Sequence, residues 1–256
     1  KPFCMKSPVC LNCDEITERN YCSNCGQKTD THRITLKHFL FHDIVHGVWH
    51  MDKGILFTLK QAILRPGKAA LEYIEGKRIP YYNVFYLILL LTGLGIFIEG
   101  FYNAALIKYV SFATPDPVKD NRALDVLGKY VKYFLLLAIP AYSLNSYILF
   151  NKKKLLYSEH LIIFGMYFVG IILITLFQSI IMFTEFVESL AFIADWSNAF
   201  ISLLLLIYIV KGLYDAFGTS YSKIGFSIRT IIYIALIFAE IRLLSFLILY
   251  YLDHFN

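Results

Sequence analysis

The chain has no G-x-S-x-G nucleophile elbow, no P-loop and no dinucleotide fingerprint. The reactions that announce themselves through those motifs therefore have no foothold in it. Charge is scarce too, at 17% of residues, while 57% are hydrophobic and 17% aromatic. A mean hydropathy of +0.57 is more than a soluble surface tolerates, and the sequence reads as an integral membrane protein. No inverted repeat is evident, and only Pro140 stands near the middle of an apolar segment. Both absences weigh against an ordinary secondary transporter, whose paired halves carry broken helices. The net charge of +5 is placed beside apolar segments, which points to anionic lipid headgroups as counter-charge and away from nucleic acid. No Met precedes Lys1, so the chain is expected to start downstream of its translation start.

Four of the five cysteines form Cys10-x2-Cys13-x8-Cys22-x2-Cys25, followed by Gly26. Each pair makes a tight turn whose N–H groups face the sulfurs, and Gly26 suits the second turn because it accepts positive φ. Four soft ligands in tetrahedral reach predict a structural Zn2+. A head this short builds no apolar core, so the metal would supply its folding energy. Four thiolates also leave no open coordination position for catalysis. Zinc thiolates favour a reducing compartment, which would put the head in the cytosol. Cys4 reads as a spare reduced thiol or an exchanging fifth ligand.

From Ile34 to Met51 the pattern is that of an amphipathic helix lying on the membrane. Leu40, Phe41, Ile44, Val45, Val48 and Trp49 share one face, with His42, Asp43, His46 and His50 on the adjoining one. His38, His42, His46 and His50 recur at every fourth residue, a spacing that lets imidazoles on successive turns share a metal. His42, His46 and His50 with Asp52 form a possible second metal or polar site; packing on a polar face is the competing reading, since no H-E-x-x-H motif accompanies them. A second short helix follows over Lys53 to Arg65, with Ile55, Leu56, Leu59 and Ile63 on one side, ended by Pro66-Gly67. Arg65, Lys68, Lys77, Arg78 and Tyr81 have the chemistry of a rim for lipid headgroups, or of a positive-inside anchor.

Those residues carry a resemblance. The head motif Tyr21-Cys22-Ser23-Asn24-Cys25-Gly26-Gln27, the HxxxHxDKG run from His46 to Gly54, then Arg65-Pro66-Gly67, Glu72-Tyr73, Gly76-Lys77-Arg78 and Tyr82-Asn83 resemble an uncharacterised bacterial inner-membrane family of unknown function with an N-terminal zinc ribbon. The resemblance covers Cys10 to Phe85; Val84 departs from it, standing where proline is expected. It brings no activity, but implies that the His46 to Asn83 block forms one unit with the ribbon and the spans.

Five segments are long and apolar enough to cross: Val84 to Phe101, Tyr130 to Phe150, His160 to Thr184, Leu190 to Val210 and Thr230 to Leu252. Twelve Lys and Arg precede the first span, and Lys152 to Lys154, Lys211, Lys223 and Arg229 fill two later loops. The positive-inside rule then puts the N-terminus in the cytosol and the C-terminus in the periplasm of a bacterial inner membrane. Glu240 and Arg242 lie within the last span, with Gln178 and Asp195 in earlier ones, where ionisable groups are expensive. Glu240 and Arg242 are two residues apart on a helix and cannot pair, so each needs another partner.

The expected architecture is an all-α polytopic membrane protein: a zinc-ribbon head over residues 1–30, amphipathic interfacial helices over 31–83 and a five-helix transmembrane bundle over 84–256. The expected function is that of an accessory or scaffold subunit, more a non-enzyme than an enzyme. The ribbon would dock a cytosolic protein and the bundle would meet lipid and another membrane protein. Two alternatives stay open. One is a lipid-handling protein or small permease using the basic rim and Glu240 or Arg242. The other is an interfacial metal enzyme using His46, His50 and Asp52.

Overall fold

The computed structural model describes residues 9–17, 20–29, 54–113 and 138–255. The His38 to Asp52 segment, Cys4 and the start of the expected second span lie outside the described residues. Among them the regular structure is helical, apart from two isolated bridges in the head, Val9 with Ile16 and Tyr21 with Lys28. Two short helices, α1 (Gly54–Leu64) and α2 (Pro66–Ile74), precede the long α3 (Val84–Ala113). Residues 138–149 form α4. Then come α5 (Tyr157–Ile181), which runs on through a 3-10 turn at Met182–Phe186, α6 (Ala191–Phe217) and α7 (Lys223–Phe255).

Four of these helices contain stretches long and apolar enough to cross a membrane: Val84–Tyr109, Tyr157–Phe186, Glu188–Ser220 and Lys223–Leu243. They match four of the five expected spans. For the remaining one, only the α4 part is described. The first span overruns its expected end at Phe101, because Tyr102 to Ala113 contains neither proline nor glycine and nothing stops the helix. α5 is the central helix. Of its most apolar stretch 72% is buried in the protein, against 22%, 17% and 17% for α3, α6 and α7. At 1.5 Å per residue its 25 residues reach about 37 Å, enough for a hydrocarbon core of about 30 Å.

α1 and α2 pack against α5 and α6 by their small and polar residues. The buried positions of α1 are Thr58, Gln61 and Ala62, while Leu56 and Ile63 are exposed. Leu56 and Ile63 thus face outward while Ile55 and Leu59 pack against the core; where the surrounding medium is lipid, close backbone approach is what holds helices together. α2 buries Pro66, Gly67, Ala69 and Ala70. Here glycine is required: a Cβ on Gly67 would lie 2.5 Å from the Gly212 oxygen and 2.6 Å from the Ala216 nitrogen of α6.

The break between α1 and α2 is repaired from α6. Pro66 has no N–H, so the Ala62 carbonyl one turn back loses its helical partner. The Tyr208 hydroxyl donates to that carbonyl at 2.6 Å, and Lys211 Nζ donates to the Leu64 carbonyl at 2.5 Å. Tyr167 of α5 in turn donates to the Gly212 carbonyl at 2.5 Å. The Arg65-Pro66-Gly67 run is thus a break, a capped end and a close helix crossing in three residues.

Candidate metal centre and its dock

The head is two copies of one turn. Asp14 N–H donates to the Cys10 carbonyl at 2.9 Å and Gly26 N–H to the Cys22 carbonyl at 2.9 Å; Cys10 and Cys22 N–H return bonds to Glu15 and Gln27 carbonyls at 2.8 Å. The turning residue is left-handed in both, with φ 60° at Asp14 and 74° at Gly26. These turns gather the four sulfurs within 4.8 Å of one another. Cys10 and Cys25 Sγ are 3.6 Å apart, as are Cys13 and Cys22 Sγ. A disulfide needs about 2.05 Å, whereas a tetrahedral ion with metal–sulfur bonds of about 2.3 Å sets sulfurs about 3.8 Å apart. The four cysteines are free and could hold one metal ion.

The electrostatics favour a cation. Burial raises the Cys25 thiol, but the Gln27 backbone N–H, the Asn12 side chain and the Cys10 and Cys13 thiols outweigh it and bring its pKa down to about 7. At Cys13 the Glu15 backbone lowers the value, yet burial and the Cys22, Cys25 and Cys10 side chains together push it up to about 12. Without a metal, the Cys25 thiolate forms readily while Cys13 resists. Bound metal must displace those protons, so affinity is expected to rise with pH. Chelator competition at pH values either side of 7 checks this, the weaker binding falling on the acid side.

The head does not hang free. Buried Gln27 donates from Nε2 to the Gly76 carbonyl at 2.8 Å and accepts from the Arg78 N–H at 3.3 Å through Oε1. Gly76 has φ 113°, and a Cβ there would meet Leu11 Cδ1 at 2.6 Å. The side chain after the last cysteine turn thus reads the backbone of the loop after α2. Replacing Gln27 with Ala leaves the buried Gly76 carbonyl unpaired, at a cost of about 1–3 kcal/mol. The expected outcome is faster proteolysis of the head in Gln27→Ala with its metal content unchanged.

The residues expected to form a headgroup rim are largely engaged with the protein. Arg65 holds Glu72 through two contacts, 3.0 and 3.5 Å, and also donates to Gln61. Tyr81 donates to the same carboxylate at 2.6 Å; burial, then Glu72, hold its phenol well above its usual pKa, so it stays a donor. The Arg78 guanidinium sits over the Tyr73 ring, 5.7 Å from its centre. Lys68 and Lys77 are exposed. Two motifs are also explained by contact. Gly54 allows the Pro80–Tyr82 backbone to approach, and Thr58 Oγ1 accepts from Tyr82 N–H at 2.7 Å. Asn83 caps α3 by accepting from Phe85 N–H at 3.0 Å.

Inside the bundle, Glu240 of α7 accepts from Asn145 Nδ2 of α4 at 2.8 Å, while Arg242 is exposed. One residue on, Ser146 pairs with fully buried His160 of α5 at 2.8 Å. Gln178 donates to Asn198 at 2.6 Å, and Asp195 is exposed. The partners Asn145 and His160 were not among the expected site residues. Nor were Gln27, Thr58 and Tyr208, although Gln27 stands in the quoted head motif. His42, His46, His50 and Asp52 lie outside the described residues.

α1, α2, the Arg65–Glu72–Tyr81 network and the start of α3 also coincide with a family match. Residues 52–94 match the family model described as Protein of unknown function (DUF3667). The four cysteines lie outside that match, on the other side of the Gln27 contact. No curated protein and no solved structure matches the chain.

Proposed function

We propose that this chain is a non-enzymatic accessory or scaffold subunit of a bacterial inner-membrane complex. A structural Zn2+ on Cys10, Cys13, Cys22 and Cys25 forms the head, the N-terminus is cytosolic and the C-terminus periplasmic. The observation that carries this reading is the Gln27 clamp on Gly76 and Arg78. A head tied to the bundle offers a cytosolic partner a surface of fixed position, which a tethered ribbon would not. Four thiolates close the coordination sphere, which suits folding and docking more than chemistry. The lightly buried flanks of α3, α6 and α7 leave wide apolar surface for lipid or for another membrane protein.

The lipid-handling alternative draws on one feature. An apolar groove of about 590 Å³, lined by Ile181, Phe192, Trp196, Phe200 and Leu203, opens where α5 turns into α6 and has the chemistry to accept an acyl chain. The two readings separate on gentle purification of the native protein, with metal and copurifying chains quantified on one peak. One zinc per chain with a stoichiometric protein partner supports the subunit. A solitary chain retaining lipid sinks it in favour of lipid handling.

A further inference from the structure

The expected headgroup rim spends Arg65 on Glu72. Two other cations, Lys152 in the turn after α4 and Arg229 in the second turn of α7, are not spent in this way. Residues 150–156 and 218–229 contain Lys152, Lys153, Lys154, Lys223 and Arg229 and no Asp or Glu. Lys153 leans toward α2: burial lowers its pKa while Glu75 opposes the shift. Lys152 and Arg229 instead converge on one aromatic ring. Lys152 Nζ lies 4.8 Å and the Arg229 guanidinium carbon 4.5 Å from the centre of Tyr221. The Tyr221 hydroxyl is fixed by the Lys152 N–H at 3.0 Å. Arg229 gives Nε to the Leu149 carbonyl at 3.1 Å and Nη1 to the Gly225 carbonyl at 2.9 Å. Its Nη2 is left without a hydrogen bond among the described residues, and neither cation has a carboxylate partner among them.

We infer that Lys152, Tyr221 and Arg229 form a binding site for a phosphate group, of the kind carried by an anionic phospholipid headgroup. The ring holds two like charges side by side, an arrangement that an anion between them relieves. A half-buried guanidinium with one edge fixed by backbone carbonyls presents its remaining donors in a set direction, the geometry that suits a phosphate oxygen. Arg229 is six residues into α7, whose apolar stretch begins at Lys223, and Leu149 is the last residue of α4, so the site lies where α4 ends and α7 begins. A phosphate at this point would bridge the end of α4 to the beginning of α7, beside the single Arg229–Leu149 bond that already joins them. The site is separate from the metal centre and does not depend on the subunit reading.

The test uses the full chain in nanodiscs containing phosphatidylcholine and phosphatidylglycerol, with retained lipids counted by native mass spectrometry. Two cations near a membrane surface predict roughly tenfold enrichment of phosphatidylglycerol among the retained lipids. Lys152→Gln removes an exposed cation and should cut that enrichment several-fold without unfolding the chain. Arg229→Gln should abolish it, and Lys60→Gln, on α1, should leave it intact. A parallel arm in detergent without lipid adds inorganic phosphate. Thermal stabilisation there that is lost in Lys152→Gln assigns the site to free phosphate, whereas enrichment in nanodiscs without that response assigns it to the lipid. Enrichment unchanged in Lys152→Gln, or lowered as much by Lys60→Gln, overturns the site. Because Lys152→Gln touches no helix packing, its result is decisive even if Arg229→Gln fails to fold.

Discussion

With Zn2+ on the four cysteines, as proposed above, removing the metal by chelation or by Cys22→Ala is expected to unfold the head while the long apolar helices persist. The head has two isolated bridges, two hydrogen-bonded turns and almost no apolar interior; Ile16 and Tyr21 are exposed. Its order then rests on the sulfurs. In small thiolate domains metal binding contributes about 10–16 kcal/mol at neutral pH, and most of the folding free energy comes from it. Hydrogen bonds among the four cysteines do not replace the bonds to a cation. Loss of the turn around Cys22 also releases Gln27, so the Gly76 carbonyl and the Arg78 N–H lose their partner together. Limited proteolysis with mass mapping should find new cuts between Val9 and Thr29, metal per chain falling to zero and helical circular dichroism nearly unchanged. A head that stays protected without metal would show that the Gln27 and Leu11 contacts suffice by themselves.

The second large effect is expected from Gly67. Adding one methyl there sets a carbon 2.5 Å from the Gly212 oxygen and 2.6 Å from the Ala216 nitrogen. Both are main-chain atoms of α6 and cannot swing aside. Relief requires α2 to move off α6, which would strain the Tyr208 and Lys211 bonds to the end of α1. Overpacking of this kind costs about 1–3 kcal/mol or more, and the linked bonds place Gly67→Ala at the upper end. Gly100→Ala is the matched control. Nothing lies within 4 Å of its added methyl, and a mid-helix glycine replaced by alanine gains about 0.5–1 kcal/mol. Thermal unfolding in one detergent should move the two variants in opposite directions. If Gly67→Ala unfolds like the parent, α2 and α6 are not in contact at this register.

Glu72 shows why the candidate rim was hard to read in one dimension. Arg65, Lys68, Lys77, Arg78 and Tyr81 share the composition of an anion site, and nothing in their spacing reveals which of them the chain uses internally. On α2, Glu72 is seven residues past Arg65, two helical turns, and so on the same face. That relation was available from the sequence once α2 was known to begin at Pro66. Tyr81 reaching back over the loop to the same carboxylate was not, because it depends on the path of residues 75–80. Lys152, Tyr221 and Arg229 were further from view. They come from two stretches far apart in the chain, and only the packing of α4 beside α7 brings them to one ring.

Composition and spacing alone decide that this chain is a bundle of membrane-length helices carrying a four-cysteine head. Long apolar runs are incompatible with a soluble surface, and paired Cys-x2-Cys turns have few other uses. They also decide where α1 breaks, since Pro66 acts through covalent geometry and needs no neighbours. The tertiary structure decides which face of each short helix turns inward. In α1 the fully buried positions are Thr58, Gln61 and Ala62, and the apolar residues divide, Ile55 and Leu59 packing inward and Leu56 and Ile63 facing outward. Lipid removes the hydrophobic bias between the two faces, so close packing and satisfied hydrogen bonds choose the orientation. The same choice fixes which cations pair with carboxylates and which remain free for a ligand.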